Sequence, residues 1–279
     1  MVKATVYEEA RAKINLTLGV APQNQDGMHP ISSRMVTLDL CDNLELTRLE
    51  AHVLSNYAVL WHKDAPRTSE IDWPITSDLA VRAHKAIEQA VGRILPVQMK
   101  LEKRIPVGGG LGGGSADAGA MVRAVVALFD LDIDCAEIAL SLGSDVPFMV
   151  YGGAADVSGI GEVVMPVQCL SMHIVLAIPE YNCSTANVFS AFDRNGSEDF
   201  EGKNDLLTAA CIVQPQLKKD MELLSHVTGK NGNLSGSGST MFVICDNAEQ
   251  ATEVAEKIRT QTTLVALATQ TSPNAIGDP

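Results

Sequence analysis

The chain has 279 residues, a formal net charge of −13, a hydrophobic fraction of 46% and a charged fraction of 20%. That length suits one large domain or two modest ones, and the composition is that of an ordinary globular protein. The acidic balance argues against sequence-independent binding of nucleic acid, which needs a basic face, but leaves open a phosphate-bearing small molecule held by local groups.

Six cysteines, at 41, 135, 169, 183, 211 and 245, form no CxxC pair. They read as reduced thiols of a cytoplasmic protein, with no disulfide framework and no zinc site. The opening MVKATVYEEARAK has no apolar signal core, and no stretch is long enough to span a membrane. Neither nucleic acid nor a membrane is expected as a partner.

From Ala10 to Val20 apolar and polar residues alternate, which predicts a half-buried strand. Lys13 and Asn15 share its polar face, roughly 6–7 Å apart. The loop PQNQDGMHP follows. Met35–Leu40 and Leu44–Leu49, joined by Cys41-Asp42-Asn43, read as a hairpin. Ile71–Pro74 reads as a short extended piece. Thr76 or Ser77 is placed to cap a helix carrying Leu79, Ala83, Ala86, Ile87 and Ala90, which Gly92 stops. Val97–Ile105 alternates as a strand and enters the segment IPVGGGLGGGSADA.

That segment holds six glycines in the seven positions 108–114, followed by Ser115. Glycine is costly to order, so the run needs a reason. Ala118, Met121, Val122, Val125 and Phe129 then fall on one helical face. A glycine-rich entry to a helix brings backbone N–H groups and a positive dipole end close to an anion, which predicts a nucleotide-phosphate loop. The Walker A lysine is absent before Ser115, and no HRD or DFG tripeptide occurs. GxGxxG matches at Gly108, Gly110 and Gly113, with Asp130 and Asp132 near the distance for a ribose contact. A dinucleotide site also needs a strand directly after the helix, whereas Asp134 and Glu137 form a capping box that opens another helix. A mobile glycine linker is the plain alternative.

Gly143 closes that helix, and Leu142-Gly143-Ser144-Asp145-Val146-Pro147 fixes the backbone around Asp145 tightly. Such a carboxylate is a candidate general base or metal ligand, or else a solvated turn aspartate. The second half reads as a strand at Met172–Ile178, helices at Ser184–Phe192, Asp205–Val213 and Pro215–Val227, and strands at Met241–Cys245 and Thr263–Ala268. A helix from Ala248 to Arg259, capped by Asn247, separates the last two. Elements mix without regular βαβ alternation, which favours α+β over a doubly wound sheet. The chain divides into an N-terminal domain, 1–155, carrying the glycine loop, and a C-terminal α+β domain, 156–279, completing the substrate site. Leu234–Thr240, LSGSGST, is either a second cradle or a turn. Lys13 on a strand and His29 in a loop say little alone. Ser115 lacks a GxSxG elbow, so a helix cap or an Mg²⁺–phosphate contact suits it better than nucleophilic work.

Taken together, ARAKINLTLGV, IPVGGGLGGGSADAGA and NLSGSGSTMF resemble, in order, the three motifs of the GHMP kinase family. DGMHPISS, LGSDVPFMVYGGAADVSGIGE and Lys203-Asn204-Asp205-Leu206 resemble a branch that phosphorylates a cytidine diphosphate-linked polyol. The resemblance implies two α+β domains with the active site in the cleft between them, ATP and Mg²⁺ as cofactors, and a monomer or weak homodimer. It implies Asp145 as the base toward the acceptor hydroxyl and Lys13 as its charged partner. Lys103 and Pro106 fall on the nucleotide side, with Gly108, Gly109, Gly110, Leu111, Gly112, Gly113, Gly114 and Ser115 on the ATP phosphates. Asn15, Thr185, Gly236 and Ser237 fall toward the polyol. His29 would read the cytosine edge and Phe189 stack on it. The metal ligands are unspecified. The branch usually has Tyr where this chain has Met28, and Asp78-Leu79 replaces an Asn-Leu pair near the adenine. A different alcohol acceptor, or a non-catalytic sensor on the same fold, are the competing expectations, with a nicotinamide-dependent oxidoreductase as a remote one.

Overall fold

The computed structural model describes residues 4–196 and 203–272. Among them are ten strands and eight α-helices. They form two compact units that interleave along the chain. One comprises the residues up to Ala12, Leu40–Val107 and Gly112–Gly152; the other comprises Lys13–Asp39, Gly108–Leu111 and the residues from Gly153 onward. A single cut after residue 155, expected from the sequence, differs from this division. The long strands β1 (Thr5–Val20) and β2 (Ile31–Arg48) each contribute residues to both units, and so does the glycine loop.

In the first unit, Asn43–Arg48 of β2 pair antiparallel with β4 (Val97–Lys103), and β3 (Asn56–Trp61) runs parallel to β4. Leu44, Leu46, Val97, Met99 and Leu101 are buried by the alternation of these strands. Helix α1 (Leu79–Val91) packs on α2 (Gly113–Phe129), with α3 (Ala136–Leu142) and α4 (Val146–Tyr151) beside them. Asp78 caps α1, its Oδ1 accepting from the Ala80 N–H at 3.0 Å, and Gly92 ends it in the left-handed region at φ 65°.

In the second unit, Ile31–Val36 of β2 pair antiparallel with β5 (Ala154–Gly159), and β5 pairs with β6 (Val163–Pro166). A separate antiparallel sheet has the order β10 (Val265–Gln270), β7 (His173–Ile178), β9 (Met241–Cys245), β8 (Asn233–Leu234). Helices α5 (Thr185–Asn195), α6 (Leu207–Val213), α7 (Pro215–Thr228) and α8 (Ala248–Gln261) share one core with it. That core includes Val175, Ala177, Val188, Leu217, Leu224, Met241, Val243, Val254 and Ile258. The parallel pair β3–β4 beside the antiparallel pairs described above, with helices not alternating strictly, is the α+β class.

Three expectations are corrected. Cys41-Asp42-Asn43 is no hairpin turn: β2 runs through it without a break, with Asp42 wholly buried. The cap of α1 is Asp78, because Thr76 and Ser77 lie in a preceding 3₁₀ turn. Ile71–Pro74 forms no strand, whereas β3, β5 and β6 do.

Candidate active site

The predicted site residues fall in both units. In the second unit, Gly108–Leu111 are laced to their neighbours through backbone groups. The carbonyl of Gly109 accepts from the Thr240 N–H at 3.0 Å, and that of Gly110 accepts from Ser235 Oγ at 2.9 Å. The carbonyl of Leu111 accepts from the Lys13 N–H at 2.9 Å. Gly110 has φ 76°, and a Cβ there would lie 2.9 Å from the Gly238 carbonyl oxygen and closer still to that of Ser235. Glycine is thus required twice over at this position, by dihedral and by space.

In the first unit, α2 begins at Gly113 with Gly112 as its left-handed N-cap, φ 69°, and no side-chain cap. The N–H groups of Gly113, Gly114 and Ser115 therefore head the helix dipole, an arrangement that suits an anion. Asp145 is the N-cap residue of α4, and Pro147 lies in that helix's first turn. Helix α4 is held close to α2. A Cβ at Gly119 would lie 2.6 Å from the Met149 carbonyl oxygen, and Arg123 donates to that same oxygen at 2.8 Å. Arg123 Nε also donates to Glu8 at 2.9 Å. The element that carries Asp145 is thereby fixed against the helix that opens with the glycine run.

Lys103 has two buried partners that the sequence does not indicate. It is 3% exposed, and its ammonium donates to Oδ2 of Asp42 at 2.6 Å and to Oδ2 of Asp117 on α2. Oδ1 of Asp42 accepts from the N–H groups of Arg104 and of Ile105, the latter at 2.7 Å. One ammonium therefore ties the strand entering the glycine loop to the helix leaving it. Burial pushes the Asp117 carboxyl well above the usual carboxylate range, with Asp42 adding to the shift and Lys103 opposing it. The two carboxylates in turn hold the Lys103 ammonium charged against the opposing effect of burial. Pro106, next along the chain, is buried.

Lys13 and Asn15 are 4% and 3% exposed, so the polar face of β1 is an interior face. Nζ of Lys13 donates to Oδ1 of Asn15 at 2.7 Å, Nδ2 of Asn15 donates to Ser33 Oγ at 2.8 Å, and Ser33 Oγ donates to the Thr17 carbonyl at 2.6 Å. The 234–240 loop covers them: a Cβ at Gly236 would lie 3.3 Å from Asn15 Oδ1 and 3.6 Å from Lys13 Nζ. Asn204 pins that loop, donating at 2.9 Å to the carbonyls of Leu234 and Gly236. Ser237 Oγ and Thr185 Oγ1 are hydrogen-bonded at 2.9 Å.

In the loop 21–30, Met28 is 42% exposed. The His29 ring is tucked against α5, 5.0 Å from the Phe189 ring and 5.9 Å from that of Phe192. Sequence reasoning did not single out Asp42, Asp117, Ser33, Asn204 or Asp193. A polar residue at an alternation position of a strand signals solvent by default, and only the fold shows that Asp42 and Ser33 point inward. Asn204 lies in the motif Lys203-Asn204-Asp205-Leu206, whose sequence alone gives it no role.

Among the described residues no group of three or more His, Cys, Asp or Glu is placed to hold a metal ion, and no helix is long and apolar enough to cross a membrane. A kinase needs no such metal cage, because Mg²⁺ is usually held by one or two protein groups together with the phosphates.

Comparison with known proteins places these features in a family. Residues 78–153 match the GHMP kinases N terminal domain and residues 193–263 the GHMP kinases C terminal domain. A 4-diphosphocytidyl-2-C-methyl-D-erythritol kinase of Polaromonas sp. is 34% identical over 264 residues, covering 87% of this chain and 84% of that one. A crystal structure of 4-(cytidine 5'-diphospho)-2C-methyl-D-erythritol kinase superposes with a TM-score of 0.77 at 27% identity, covering 96% of this chain and all of that one. A homoserine kinase from Cytophaga hutchinsonii shares the fold, with a TM-score of 0.66 at 13% identity, covering 98% of this chain and 96% of that one.

The fold and the glycine-headed helix define an ATP-dependent kinase of small molecules. More narrowly, the chain belongs to the GHMP kinase family.

Proposed function

We propose that the protein transfers the γ-phosphoryl group of ATP to the 2-hydroxyl of 4-diphosphocytidyl-2-C-methyl-D-erythritol, a step of non-mevalonate isoprenoid precursor synthesis. Likeness over nearly the full length to enzymes of that name carries the choice of acceptor. Six free cysteines suit work in a reducing cytoplasm.

Phosphoryl transfer asks a protein for positioning and charge neutralisation rather than covalent chemistry. Gly108–Ser115 take the ATP phosphates on backbone N–H groups. The residues present fit ATP, since the cradle around Gly110 admits no side chain. When bound, Mg²⁺ neutralises phosphate charge, and Ser115 is the residue that would hold it. Asp145 takes the proton of the attacking hydroxyl. Lys13, oriented by Asn15, stabilises the charge that develops. Asn15, Thr185, Gly236 and Ser237 line the polyol; Met28, His29 and Phe189 meet the cytosine. Lys103 acts from behind the loop, by holding β4 to α2.

A second acceptor class keeps one observation in its favour. Met28 gives a softer contact to a base than the Tyr usual in the branch, so another small alcohol fits the same machinery. The assigned roles are tested by ADP release and calorimetric ATP binding on wild type, Asp145→Asn and Lys13→Ala. Each substitution is expected to lower kcat by about a hundredfold or more while the Kd for ATP stays within about threefold. Parallel loss of ATP binding would overturn the roles.

A further inference from the structure

Phe189, Phe192 and Asp193 stand at i, i+3 and i+4 on α5 and so share one face of that helix. The loop 21–30 lies on this face. Its shape comes from its own hydrogen bonds: Ala21 N–H to the Pro30 carbonyl at 2.8 Å, and Asp26 and Met28 N–H to Asn24 Oδ1 at 3.0 and 2.9 Å. Its seat on α5 comes from Asp193. Oδ2 of Asp193 accepts from Gln23 Nε2 at 3.2 Å, and Oδ1 lies 3.2 Å from His29 Nε2. One carboxylate therefore stands against both legs of the loop, hydrogen-bonded to Gln23 and in close contact with the His29 ring.

The His29 side chain is 6% exposed, while that of Asp193 is 37% exposed. Nδ1 of His29 donates to the Ala21 carbonyl at 2.9 Å. Nδ1 is thus paired, and Nε2 lies in close contact with the Asp193 carboxylate without forming a hydrogen bond to it. The imidazole is anchored through Nδ1 by the Ala21 carbonyl, its Nε2 lies beside Asp193, and it contacts the rings of Phe189 and Phe192. The exposed Met28 stands one residue away on the same short segment.

We propose that Asp193 is a positioning residue for recognition of the acceptor's pyrimidine base: by holding Gln23 and His29 it fixes the loop 21–30 against Phe189. This rests on the reading that His29 and Phe189 meet the cytosine. In that arrangement Asp193 touches neither the base nor the reacting atoms. Its removal loosens the base-binding end alone and leaves the phosphate loop, Lys13 and Asp145 unaltered.

The test is steady-state kinetics on wild type, Asp193→Ala and Asp193→Asn with the cytidine diphosphate-linked acceptor and Mg-ATP. For Asp193→Ala, KM for the acceptor is expected to rise about tenfold, with kcat and KM for ATP within about twofold of wild type. Asp193→Asn, which keeps an oxygen acceptor for Gln23, is expected to fall between. An unchanged acceptor KM, or a fall in kcat matched by loss of ATP affinity, overturns the proposal, because a merely structural role moves all three together. If the wild type does not turn over the cytidine acceptor, the substrate reading fails separately, and calorimetry with cytidine diphosphate still decides. Binding to the wild type that is about tenfold weaker in Asp193→Ala sustains the proposal. Equal binding, or none to the wild type, overturns it.

Discussion

Nζ of Lys13 donates a 2.7 Å hydrogen bond to Oδ1 of Asn15, and both side chains are buried. The amide can accept from Lys13 only in one orientation, and Ser33 sets that orientation by accepting from Nδ2 at 2.8 Å. The ammonium is therefore aimed by a chain of two side chains.

Ser33→Ala removes the second link and leaves a buried amide donor unpaired. Stability is expected to fall by about 1–3 kcal/mol. Turnover is expected to fall about tenfold as Lys13 loses its fixed direction, with ATP affinity unchanged. Urea unfolding and ADP-release kinetics check both; unaltered kcat would remove Ser33 from the account.

Gly110→Ala forces a side chain into a left-handed residue, at about 1–2 kcal/mol, and against the carbonyls of Ser235 and Gly238, at about 1–3 kcal/mol more. Both strains fall on the loop proposed to take the ATP phosphates. Weakened ATP binding by calorimetry and a lowered unfolding midpoint are expected together. A variant with wild-type ATP affinity would show that this glycine serves packing alone.

The buried triad gives a pH-dependent prediction. In the folded protein the Asp117 carboxyl is raised above its unfolded value. Its contribution to stability is therefore complete below the unfolded pKa and is lost as pH rises through the folded one. Asp117→Asn cannot ionise, so wild-type stability measured relative to it should decline as pH rises above the ordinary carboxylate range. Urea unfolding of both proteins across acidic to neutral pH reads this difference. A difference that does not change with pH would contradict the assignment. Lys103→Met is expected to cost about 3–5 kcal/mol at neutral pH, because it leaves two carboxyls buried without their cation.

Gly119→Ala probes the approach of α2 to α4. Its Cβ would lie 2.6 Å from the Met149 carbonyl oxygen, so α4 must shift. Asp145 heads that helix. The expected result is a fall in kcat of about tenfold or more with a smaller change in the Kd for ATP. Equal loss of both would place the damage at the phosphate loop instead.

Much of this architecture is legible before any coordinates. The glycine run and the helix after it, the cap Asn247 and the strand at β1 all rest on local rules, and the structure keeps them, although β1 is buried on both faces from Ala12 to Asn15 where its alternation predicts a half-buried strand. What local rules miss is inward-facing polarity. Asp42 looks like a turn former between two apolar strands, yet it accepts two backbone N–H groups and the Lys103 ammonium inside one continuous strand. Lys13 looks like an exposed strand lysine, and it is buried beneath the Gly236 loop. In each case the partners come from residues distant in sequence, so periodicity has no access to them. Helix α4 escaped for another reason: six residues are too few to show a period.

The central claim is the acceptor, and the most direct measurement is ADP release from Mg-ATP with 4-diphosphocytidyl-2-C-methyl-D-erythritol, mevalonate, homoserine and galactose offered in parallel. The account predicts turnover with the cytidine substrate alone. Turnover with one of the other alcohols and none with the cytidine substrate would contradict it.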